Sequence, residues 1–146
     1  MANNTIVLAN GQQLTITTDL SKIFLWNNRY DQADYTAGGA DITIPAGTLL
    51  GRIGSTGKVV PLTSAAVDGS QFPVGILLQD TFVAATSTVS LTYCVSGDVA
   101  ANKVIYQGAD NGETVVSNRR LKDLIGSDTV GIKLVQSTSN SDLDNV

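Results

Sequence analysis

More than a quarter of this chain branches at Cβ. Sixteen Thr, fifteen Val and ten Ile make 41 of its 146 residues. Branching stiffens χ1 against the preceding helical turn, whereas on a pleated surface the same shape packs well. A chain so composed, with 14 Gly to turn corners, predicts many short strands and little helix. Its length fits one compact domain that can bury a core without disulfides or metals.

Periodicity places the strands. Thr5–Ala9 and Gln13–Thr17 flank Asn10-Gly11, a pair that tolerates the positive φ values of a type I′ turn, so the chain should open with a hairpin. The short apolar stretch Lys22–Trp26 follows. The polar segment from Asn27 to Asp41, with Gly38-Gly39, reads as a mobile surface loop. Thr48–Ile53 and Lys58–Leu62 flank Gly54-Ser55-Thr56-Gly57 as a second hairpin. Pro73–Leu78 has the length of a strand buried on both faces. The clearest strand is Ser87–Ser96, where Val89, Leu91, Tyr93 and Val95 alternate with Ser90, Thr92 and Cys94. Short strands at Val104–Tyr106 and Thr114–Val116 follow. One two-turn helix is expected, with Ser117 as N-cap, Leu121, Leu124 and Ile125 on its apolar face, and Gly126 as its stop. A last strand, Thr129–Val135, precedes a polar tail, 137–146, expected to be disordered.

Charge and missing residue types exclude most chemistry. The net charge is −4, and nine Lys and Arg cannot supply the basic stripe that nucleic acid requires. Arg119, Arg120 and Lys122 read as a solvated helix face. There is no histidine, which removes the commonest general base and metal ligand. Cys94, the one cysteine, reads as a small buried hydrophobe. The acidic pairs Asp31 with Asp34 and Asp68 with Asp80 lack any pattern that marks acid–base work. Gly51–Lys58 has the wrong spacing for a phosphate loop, and Lys58 is followed by Val59 where magnesium needs Ser or Thr. Asp110-Asn111-Gly112 is a turn without the other ligands of a calcium loop. No apolar run reaches the ~20 residues that span a bilayer, and the first residues do not form a secretory signal. The expectation is a non-enzymatic protein without cofactor or metal, made in a cytoplasm.

One ordered set of segments carries more than composition. Ile44-Pro45-Ala46-Gly47-Thr48-Leu49-Leu50-Gly51, Thr56-Gly57-Lys58, Asp68-Gly69-Ser70 and Pro73-Val74-Gly75-Ile76-Leu77 resemble the head decoration proteins of lambda-like tailed phages. Val95-Ser96-Gly97-Asp98-Val99 and the short helix before a strand with Gly131-Ile132 are similar to that family's second half. The resemblance implies a compact, barrel-like β domain of the kind called a β-tulip, with one short helix near the C-terminus. It implies a homotrimer on the outer surface of the expanded head, bound to the major capsid protein and bracing the shell against DNA pressure. It also implies an N-terminal arm that pairs with capsid strands. Here that places residues 1–41 as arm, hairpin and loop, 42–136 as the decoration domain and 137–146 as a flexible tail. The candidate capsid-binding residues are Thr5, Ile6, Val7, Leu8 and Ala9, with a hairpin tucked onto its own domain as the alternative. Trimer contacts should involve Trp26 or Phe72. Two rival readings stay open: another virion β-protein, such as a tail or minor capsid component, and a carbohydrate-binding module that stacks sugars on Trp26, Tyr30 and Tyr35.

Overall fold

The computed structural model describes residues 2–7, 13–18, 23–126 and 131–135. In chain order the strands are β1 (Ala2–Val7), β2 (Gln13–Thr18), β3 (Phe24–Thr36), β4 (Ile42–Ile44), β5 (Leu49–Arg52), β6 (Val59–Pro61), β7 (Pro73–Leu77), β8 (Thr81–Val83) and β9 (Thr88–Ala100). A 3₁₀ turn at Ala101–Lys103 follows, then β10 (Val115–Val116), β11 (Arg119–Arg120), helix α1 (Leu121–Ile125) and β12 (Gly131–Val135). The fold is mainly β with one short helix near the C-terminus, as the branched composition predicts.

The centre is β9. One of its edges carries β3, antiparallel from Phe24↔Val99 to Thr36↔Thr88. Its other edge is divided between β7, at Cys94 and Tyr93, and β12, which runs parallel to it from Ser96 to Ala100. The sheet continues from β7 through β5 to β6. It does not close into a barrel. β6 approaches β3 without pairing, and the gap is crossed by Lys58 Nζ, which donates to Thr36 Oγ1 at 2.7 Å.

Alternation divides the core in two. Leu49, Ile76, Cys94, Val99 and Ile132 point to one face, where Leu121 and Ile125 of α1 cover them. Leu50, Leu77, Leu91 and Tyr93 point to the other, under the β4–β8 ribbon that brings Ile44 and Val83. Adjacent residues thus face opposite cores, which is why Pro73–Leu77 and Leu49-Leu50 read as unbroken apolar runs. Each fully buried aliphatic side chain contributes on the order of 2 kcal/mol. Gly75 is required between the layers: a Cβ there would lie 2.5 Å from the Cys94 carbonyl oxygen and collide with the Tyr93 ring.

Three local expectations need correction. The segment expected to be a loop after Asn27 is most of β3, and from Gln32 onward its polar residues lie on one face. Ala33, Tyr35 and Ala37 pack inward while Gln32, Asp34 and Thr36 are exposed. Ser117 does not cap the helix. Ser117 and Asn118, at φ 50° and 65°, turn the β10–β11 hairpin, as two successive left-handed residues do in a type I′ turn. The helix starts after Arg120 without a side-chain cap, and Gly126 ends it at φ −89° rather than left-handed. Arg119 and Arg120 therefore lie on β11, not on a helix face, and Arg120 and Lys122 both pair with Glu113. Lys122 holds that carboxyl below its ordinary range.

Candidate functional site

The surfaces open to a partner follow from how β3 leaves β9. From Tyr30 to Thr36 the two strands stay in step. Thr36 and Thr88 share a 2.8 Å hydroxyl contact, and Gln32 Nε2 donates to Thr92 Oγ1 at 3.0 Å. Tyr93, buried at the same level, has its hydroxyl 2.6 Å from Arg52 Nη2, which donates to it, and 3.5 Å from Asp31 Oδ2. Burial holds the Tyr93 pKa above its ordinary value, although the Arg52 guanidinium pulls the other way.

Toward Phe24 the register shifts three times, between Phe24 and Trp26, Trp26 and Arg29, and Arg29 and Tyr30. These bulges are built in. Asn27 takes φ 51° and faces Gly97 at φ 110°, where a Cβ would sit 2.7 Å from the Asn27 carbonyl oxygen. Asn28 Nδ2 donates to the Asp98 carbonyl at 3.0 Å and to Cys94 Sγ at 3.5 Å. Cys94 is buried, as a small hydrophobe is expected to be, and burial pushes its thiol pKa up. An extra residue in one strand re-aims its neighbours. Phe24 packs inward, in edge-to-face contact with Tyr30 at 6.0 Å, while Trp26 turns outward and is 74% exposed.

Trp26 has company. It lies opposite Asp98, which lies opposite Lys133 on β12. The adjacent row, Phe24, Val99 and Leu134, joins the core, so Asp98 and Lys133 turn outward by alternation and Trp26 by the register shift after Phe24, which makes an outward row across three strands. Arg29, exposed, is opposite Ser96 in the next row, which ends at Gly131. Sequence reading singled out Trp26 but missed Arg29, Asp98 and Lys133, because only the register brings them together. Gly97 inside an alternating strand was the available signal for a bulge.

The other predicted residues are dispersed. Phe72, partly exposed, stands at the end of the loop between β6 and β7, where Asp68 Oδ1 accepts from Ser70 N and Oγ at 3.0 and 2.6 Å. Thr5, Ile6 and Val7 lie in β1, which pairs with β2 from Ala2↔Thr18 to Val7↔Gln13 as a separate two-stranded sheet. Leu8, Ala9, the Asn10-Gly11 turn and the tail 137–146 lie outside the described residues. The aromatic platform for sugars does not form, since Tyr35 is buried in the core below β4 and β8. Asp31 and Asp34, three apart on a strand, point to opposite faces, Asp68 is engaged by Ser70, and Asp80 Oδ1 accepts from Ala46 N at 2.7 Å. Among the described residues no three His, Cys, Asp or Glu side chains gather as a metal site, and no helix is long and apolar enough to cross a membrane.

A family model described as bacteriophage lambda head decoration protein D matches residues 26–124, which is 99 of the 146. The matched interval opens at Trp26 and closes within α1, so it takes in the central sheet apart from β12 and the first two residues of β3. No curated protein matches the chain.

Proposed function

We propose, since the chain belongs to the bacteriophage lambda head decoration protein D family, that it coats the outside of a phage head as a trimer and stabilises the shell against the pressure of packaged DNA. The observation that carries this reading is the family match from Trp26 to Leu124, which spans β3, β9 and the helix rather than one turn motif. The family ties the chain to the virion's outer surface. The trimer, the bracing role and the choice of contacts are our inference.

The physical case is one of occupancy without turnover. A rigid sheet with a core on each face deforms little, and three linked contacts raise effective concentration so that release is slow. The capsid-contacting segment would be the arm ahead of β3. Thr5, Ile6, Val7, Leu8 and Ala9 carry no charge, and a strand with an open backbone edge can be added to a capsid sheet. Copies would meet through Trp26 or Phe72, both exposed aromatic groups. A chain without histidine suits a protein whose work is binding.

The test is direct. Purified protein is added to expanded heads that lack decoration, and electron microscopy should find added density at local threefold positions. Bare shells at saturating protein would end the reading. Deletion of residues 1–14 should weaken attachment at least tenfold and leave the domain folded. Full-strength attachment by that variant would reject the arm, and favour a hairpin held against its own domain.

A further inference from the structure

β3 begins, and β12 ends, beside the same residues of β9: Phe24 is opposite Val99 and Val135 is opposite Ala100. The arm therefore leaves the domain at the edge of the three-stranded patch formed by Trp26, Asp98 and Lys133. This patch is the part of the sheet beside the start of β3.

Resting on the decoration reading above, we infer that Trp26 docks on the capsid shell rather than between copies, as an indole knob in an apolar pocket of the capsid protein with carboxylates at its rim. Three observations carry this. The side chain is 74% exposed yet its backbone is held by two register shifts, a left-handed Asn27 against Gly97 and the Asn28 hydrogen bond to Asp98. A large apolar group presented on a preorganised backbone loses little entropy on docking. Around the indole, Lys133 and the adjacent row's Arg29 outnumber the one carboxylate, Asp98, in a chain of net charge −4, and tryptophan with arginine is the chemistry that dominates interface energetics. Third, the patch adjoins the arm. A knob on the same edge as a strand-adding arm makes a two-point attachment to one surface, so each contact raises the effective concentration of the other. Of the two residues expected at contacts between copies, Phe72, on the β6–β7 loop, is then the one left.

Trp26 is the one tryptophan of the chain, so its surroundings can be read directly. In the free oligomer its emission should be quenched by acrylamide as readily as that of N-acetyltryptophanamide. Shielding in the free oligomer would place it between copies and overturn the inference. On expanded undecorated heads, Trp26→Ala should lower affinity at least tenfold, Trp26→Phe less, with the sedimentation of the free protein unchanged. Equal affinity of Trp26→Ala and the native chain, or loss of the oligomer, would reject the assignment; Trp26→Phe and the quenching measurement decide it if the alanine variant does not fold. Failure of the native chain to bind heads would instead sink the decoration reading, a separate result.

Discussion

At its Thr36 end the β3–β9 ribbon is in step, hydrogen-bonded across its outer face, and bridged to β6 by Lys58. At its Trp26 end the same two strands slip three times and present an indole to solvent. The difference does not come from alternation alone, although the Trp26 end opens on three apolar residues, Phe24-Leu25-Trp26, followed by three polar ones. It lies in Gly97 and Asn27, which let the backbone take left-handed values that branched residues resist. Regular pairing maximises core contact. Bulging gives up ladder bonds and gains a fixed direction for one side chain. A decoration protein needs both, a stiff body and a point of contact.

The largest effect should come from the body. Gly75→Ala places a methyl group against the Tyr93 ring and the Cys94 carbonyl, at the point where both ends of the ribbon meet the rest of the sheet. Overpacking there should cost about 3 kcal/mol, seen as a lower denaturation midpoint. A loss of under about 0.5 kcal/mol would show that the two cores are softer than their packing implies. Gly97→Ala should come next, at about 2 kcal/mol, from strain at φ 110° and the approach to Asn27. Unlike the first, it should also alter Trp26 emission. A change in stability without a change in emission would break the link between the bulge and the indole.

Much of this architecture is legible in the chain, and the failures have a common cause. Val89, Leu91, Tyr93 and Val95 announce β9 by strict alternation, and all four join one core. β3 is hard to see because its inward residues include Ala33 and Tyr35, with Ala37 just past its end, small or hydroxyl-bearing groups among acids and amides, so the period of two is present with little hydropathy contrast. Ser117 was misread because serine serves both caps and turns, and only tertiary pairing of β10 with β11 decides between them. Trp26 could be named from sequence as a candidate contact residue. Its row with Asp98 and Lys133 could not, because residues 26, 98 and 133 become neighbours only through the register of three strands, which bulges shift.

The smallest effect separates the two ends by pH. Burial holds the protons of Tyr93, Tyr106 and Cys94 more tightly in the folded state than in the unfolded chain. The stability this represents is full below the ordinary values, near 9 for the thiol and 10 for the phenols, and is lost as pH rises through the raised folded values. The melting temperature should accordingly hold from neutral pH to about pH 8.5 and then fall, with the denatured state gaining charge first. Tyr93→Phe keeps the ring but leaves Arg52 Nη2 without its 2.6 Å acceptor, which should cost about 1 kcal/mol at neutral pH. Because the variant has no buried phenol at this position, its stability should fall less steeply above pH 10, and its deficit against the native chain should shrink. A deficit that grew with pH would mean that Arg52 favours the phenolate more than burial opposes it, and the in-step end of the ribbon would then be held by charge rather than by packing.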